Sequence, residues 1–96
     1  SALNAEADAS AAEARYLEKQ IENEAHAEIS SVRFLHQQIH LAEENIKRAE
    51  GYMKLTLSEY SRGVKNSPDV LGSLDRLAAT KTKYLEILRD FYVTRD

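Results

Sequence analysis

From Asn4 to Arg62 the sequence offers no strong helix stop, and within the next few residues it offers both a stop and a start. The one weak point is Gly51, and a lone helical glycine costs only about 1 kcal/mol relative to alanine. Then comes Arg62-Gly63-Val64-Lys65-Asn66-Ser67-Pro68-Asp69. Gly63 suits the left-handed conformation that ends a helix. Ser67 reads as the N-cap of a second helix, with Pro68 at its first position and Asp69 in its first turn, against the positive end of the helix dipole. The expectation is an all-α chain: a single helical hairpin over residues 1–96, with a helix over 4–62, a turn over 63–67 and a helix over 68–94. The arms are unequal, so about half of the first helix has no partner inside the chain.

Apolar periodicity supports two packed helices. Ala11, Ala25, Val32, Ile39, Ile46, Met53 and Tyr60 fall in one heptad row, and Ala14, Ile21, Leu35, Ala42, Ala49 and Thr56 in the interleaved one. These are the a and d positions of left-handed helix packing. Glu18 and Glu28 interrupt the seam. A second apolar set, Tyr16, Leu17, Ile29, Phe34, Leu41, Tyr52, Leu55 and Leu57, lies off it. The second helix is doubled in the same way: Val70, Leu77, Tyr84 and Phe91 form one row with Leu74 and Leu88 beside it, and Leu71, Ala78, Leu85 and Tyr92 form another. One narrow stripe suffices for a two-stranded coiled coil. Two stripes point to neighbours on two sides, in a bundle or a ring of helices.

Composition removes several classes of function. The net charge is −3 and no basic run tracks a phosphate backbone, which argues against nucleic acid as a partner. Without cysteine there are no disulfides, thiolate chemistry or cysteine-based zinc sites. No apolar run approaches the roughly 20 residues that span a bilayer. The N-terminal stretch carries acids among its alanines and has no basic start, so it does not read as a signal peptide.

The segment from Ala49 to Tyr92 resembles the outer membrane efflux protein family, the TolC-like channel-tunnels. The resemblance rests on Leu55, on Tyr60-Ser61-Arg62-Gly63-Val64, on Asp69-Val70-Leu71, and on Leu77 and Tyr84. Asn45, Ala49 and Tyr52 fit the less specific helical part of the pattern. The resemblance implies a trimer whose helical hairpins wall a tunnel across the periplasm below an outer-membrane β-barrel. The hairpin turns would meet the tip of a periplasmic adaptor protein. Tyr60, Gly63, Val64, Asp69 and Leu71 would then belong to the docking tip, with Arg62, Lys65, Asn66 and Ser67 as its variable exposed part. This chain would be a periplasmic segment of an outer membrane protein and would itself touch no membrane. It departs from full members in having one hairpin and no strand candidates, in Leu74 where a Gln is common, and in Lys65 after Val64. The alternative is a stand-alone interaction protein whose hairpin dimerises into a four-helix bundle. Small secreted helical hairpins are one such group, but their Trp-x-Gly turn is missing here, since the chain has no Trp.

Other constellations carry less. His36 and His40 are one helical turn apart and share a face, the spacing of a two-histidine metal grip, with Glu43 and Glu44 one turn on. Gln37 stands where a zincin has its general-base Glu, and a solvated helix face explains the pair as well. No nucleophile–base pair, phosphate loop or di-iron pattern is present, so neither an enzyme nor a cofactor is expected. Free N–H groups at the start of the second helix offer a partner hydrogen bonds.

Overall fold

The computed structural model describes residues 1–95. It holds two α-helices, α1 over Ala2–Ser61 and α2 over Ser67–Arg95, and no strand among the described residues. The fold is an all-α helical hairpin. The helix bounds shift slightly from expectation: α1 starts two residues earlier and stops one earlier, and α2 opens at Ser67. Gly51 passes through α1 without a break.

The chain falls into two compact units, Ser1–Phe34 and Leu35–Asp96. The first is a single stretch of α1 in which every residue is exposed. Its heptad positions, Ala11 to Val32, therefore meet no partner within it. The second unit contains the rest of α1, the turn and α2, and it holds all the burial.

Within this second unit the less exposed positions of α1 are Leu35, Ile39, Ala42, Ile46, Ala49, Met53 and Thr56, apart from the flanking Gln38, Glu44 and Glu59. Those of α2 include Val70, Ser73, Leu77, Thr80, Tyr84, Ile87 and Phe91. Both rows step by three and four residues, the period of a left-handed antiparallel pair. They are also mirror images about Gly63. Counting equally outward from Gly63 pairs one less exposed position with another: Thr56 with Val70, Met53 with Ser73, Ala49 with Leu77, and further out Ile46 with Thr80 and Ala42 with Tyr84.

These five layers each set a small or hydroxyl-bearing side chain against a larger one. The most buried residues are the small ones: Ser73 at 1% exposure, Ala49 and Thr56 at 2%, and Ala42 at 4%. Small residues let two helix backbones approach, and the larger partner then fills the layer to interior density. Among the described residues, Leu77 alone of the larger apolar side chains is buried, a burial worth about 2 kcal/mol.

Polar residues enter this seam without an orphaned group. The Thr56 hydroxyl donates to the Tyr52 carbonyl at 2.9 Å, Ser73 to Val70 at 2.8 Å, and Thr80 to Leu77 at 2.8 Å. Each hydroxyl is satisfied by its own helix, so its methyl or methylene side faces the partner. No buried side-chain polar atom lacks a partner among the described residues.

Backbone protection should follow this division. In hydrogen exchange on the dilute chain, amides of Ala42–Thr56 and Ser73–Tyr84 should exchange at least about tenfold more slowly than those of residues 5–30, since long-range packing supports only the former. Equal protection along α1 would contradict it.

Candidate docking site at the hairpin turn

α1 stops in a Schellman motif. Gly63 has φ of 78°, its N–H donates to the Tyr60 carbonyl at 3.0 Å, and the Val64 N–H reaches back to the Glu59 carbonyl at 2.8 Å. These are the two bonds that close a helix through a left-handed residue. The Lys65 N–H adds a third, to Glu59 at 3.3 Å. A β-carbon at Gly63 would meet nothing within 4 Å, so the demand for glycine is conformational rather than steric.

α2 starts with a reciprocal cap. The Asn66 side-chain carbonyl accepts from the Asp69 N–H at 3.0 Å, and the Asp69 carboxylate accepts from the Asn66 N–H at 2.9 Å. This is a capping box with Asp in the place usually held by Glu. The cap is therefore Asn66, not Ser67. Ser67 occupies the first helical position and Pro68 the second, where a proline's missing N–H still leaves no bond unmade. The signal was present in the sequence as Asn66 followed three residues later by an acid, but the adjacent Ser67-Pro68 pair reads as the more familiar start. The Ser67 hydroxyl instead lies 3.5 Å from the Tyr60 hydroxyl, a long contact across the turn.

The backbone offer to a partner is smaller than expected. From Asn66 to Val70, the N–H groups of Asn66 and Asp69 are held by the cap and that of Val70 by the Asn66 carbonyl at 3.3 Å. Pro68 has none. Only the Ser67 N–H remains without a bond among these.

What the turn does present is side chains. Residues 60–69 are all exposed, with Val64 at 67% and Leu71, one residue after Val70, at 61%. Tyr60 is half exposed. Neither Arg62 nor Lys65 forms an ion pair among the described residues. Glu59 and Asp69 bring the acids of the turn, and the Asp69 carboxylate is occupied by its cap. The structure thus brings all the expected tip residues, Tyr60, Arg62, Gly63, Val64, Lys65, Asn66, Ser67, Asp69 and Leu71, to one end of the hairpin. Val64 and two cations without ion pairs are displayed on a turn whose backbone is bonded internally, with Leu71 exposed at the start of α2.

The histidine pair sits elsewhere. The His36 ring meets Phe91 edge to face, 6.1 Å between centroids, and His40 Nε2 lies 3.2 Å from a Glu44 oxygen. Arg48 takes the other Glu44 oxygen at 3.8 Å. Among the described residues no three His, Cys, Asp or Glu side chains converge as a metal site.

Comparison with protein-family models, curated proteins and solved structures finds no match for this chain.

Cap and turn make separable predictions. Asn66→Ala and Asp69→Ala should each destabilise the hairpin by about 1 kcal/mol in thermal or urea unfolding, whereas Ser67→Ala should fall within about 0.5 kcal/mol of the parent. A Ser67→Ala loss equal to that of Asn66→Ala would return the cap to Ser67.

Proposed function

We propose that this chain is a periplasmic tunnel hairpin of a TolC-like outer membrane channel, which assembles beside like hairpins and docks a periplasmic adaptor through its turn in efflux or type I secretion. The observation that carries the reading is the turn itself. Its backbone is closed by the Schellman bonds and the Asn66–Asp69 cap, so little ordering entropy remains to be lost on docking. At this end of the hairpin Tyr60, Val64 and Leu71 are exposed apolar residues, with the cations Arg62 and Lys65 near them in sequence. A helical partner tip with apolar contacts and a few acids fits that chemistry.

Assembly is the other half of the mechanism. The half-exposed apolar residues of the second unit lie on both helices, outside the seam. A hairpin packed on one side only would leave one of these flanks in water. Neighbours on both sides suit a wall of hairpins better than a single face-to-face dimer.

The test is light scattering of the chain with and without the hairpin of a candidate periplasmic adaptor. The parent should form a complex, Val64→Asp should weaken it by roughly tenfold or more, and Gly63→Pro should abolish it. Parent-like binding by Gly63→Pro would count against the docking role, and a discrete dimer indifferent to the adaptor would favour the self-contained bundle.

A further inference from the structure

Charge is divided unevenly along the chain. Residues 1–34 carry seven acids and three bases, whereas residues 35–96 carry nine acids and ten bases. Every residue of that upstream arm of α1 is exposed. Its apolar stripe runs through Leu17, Ile21 and Ala25, and the acids lie within it. At about 100° per residue, Glu18, Glu24 and Glu28 fall within about 60° of Ile21 around the helix, while Arg15, Lys19 and Arg33 lie about 120° or more away. None of these three glutamates forms an ion pair among the described residues.

The second unit has a face of the opposite kind. A groove between α1 and α2 is lined by Ala42, Asn45, Arg76, Ala79, Thr80 and Lys83, two cations and no acid. The Arg76 guanidinium also covers Tyr52, 5.5 Å from the ring centroid. Neither Arg76 nor Lys83 forms an ion pair among the described residues. One turn to either side of Arg76 stand Gly72 and Ala79, and a β-carbon at Gly72 would meet nothing within 4 Å, so α2 has no bulk there to hold another helix off. On α1, Leu41 is one turn from Asn45 and Leu55 one turn from Tyr52, and Leu41, Tyr52 and Leu55 are all half exposed.

We infer that the acidic arm of one chain lies in this cationic groove of a second copy. Leu17 and Ile21 meet Leu41, Tyr52 and Leu55, and Glu18, Glu24 and Glu28 meet Arg76 and Lys83. The apolar contacts supply the burial, since exposed ion pairs contribute little singly, and the charges choose the occupant. The contact uses neither the turn nor an adaptor. Ile21 is 42 residues from Gly63, whereas Asn45 and Tyr52 are 18 and 11, so the turns of two copies joined this way lie at different heights.

The other self-pairings lack this match. Arm against arm, in either direction, sets the seam glutamates Glu18 and Glu28 against another glutamate or an uncharged side chain, because the arm has no base at its a or d positions. Groove against groove brings Arg76 and Lys83 onto the same cations, and opposed like charges are destabilising. Arm in groove alone joins opposite charges.

The test is a charge exchange on the intact chain, read by light scattering. The parent should associate at low salt and come apart as sodium chloride rises toward about 0.5 M, because exposed charges are then screened. A chain with Glu18→Lys, Glu24→Lys and Glu28→Lys, and another with Arg76→Glu and Lys83→Glu, should each self-associate at least about tenfold more weakly. Both should keep the parent's helicity by circular dichroism, since all five positions are exposed. Mixing the two should restore a complex, because each chain then offers one arm or groove of the charge that the other needs. A parent that stays monomeric at low salt, variants that associate as the parent does, or a mixture that regains nothing would overturn the contact. None of the five substitutions touches the turn, so adaptor binding by the same chains tests docking separately.

Discussion

The hairpin depends on complementarity of size across a seam that is only one side chain deep. By the count from Gly63, small Ala49 pairs with Leu77 and Ser73 with Met53. Neither member is large enough to shield the helix pair alone, and a second large residue in any of these layers would force the backbones apart. This accounts for an arrangement that looks inverted beside a globular core, in which the most deeply buried side chains are Thr56 and Ser73. Their hydroxyls turn back onto their own helices, leaving a surface that behaves as if it were alanine or valine. The larger apolar residues are then free to lie part-exposed, where another helix can reach them.

The turn makes that complementarity possible by placing its centre of symmetry at Gly63. A left-handed residue ends α1 within one position, and the Asn66–Asp69 box starts α2 three residues later. The connection is five residues, 62–66, and its backbone geometry is held by Gly63, Asn66 and Asp69. Tyr60, Arg62, Val64 and Lys65 are consequently available for recognition, on a support whose shape is already set.

Much of this was legible in the residues. The hairpin follows from one punctuated segment in a chain otherwise free of breakers. The α1 half of the seam follows from apolar residues spaced by seven, since alanine at Ala42 and Ala49 still reads as apolar. The α2 half was only partly legible. Val70, Leu77, Tyr84 and Phe91 stood out, but Ser73 and Thr80 did not, because a hydroxyl counts as polar until its backbone acceptor is known. The upstream rows through Ala11, Ile21 and Val32 have the same period but find nothing to pack against in their own unit, since periodicity records a face and not its occupant. Every residue of the candidate tip could be placed from the sequence, whereas the division of labour within it, Asn66 as cap and Ser67 as a bystander, required the hydrogen bonds.

The back-bonded hydroxyls have a consequence for how the two helices know their alignment. The seam hydroxyls of Thr56, Ser73 and Thr80 do not lock one layer to another, and the polar contacts between the helices, Ser67 to Tyr60 and Arg76 over Tyr52, are made by exposed residues. Because Ala42, Ala49 and Thr56 repeat at seven residues, a slide of one heptad, about 10.5 Å, would bring Ala42 level with Leu77 and Ala49 level with Val70, small still facing large. The interface is thus nearly degenerate along its axis, like a zip whose teeth mesh at several offsets. The covalent connection through Gly63 chooses among them. Registry in this molecule therefore depends on chain continuity more than on the apolar seam. Nicking the backbone between Val64 and Lys65 would leave each helix intact and the seam equally apolar, yet remove the covalent tie that holds α2 at one height along α1.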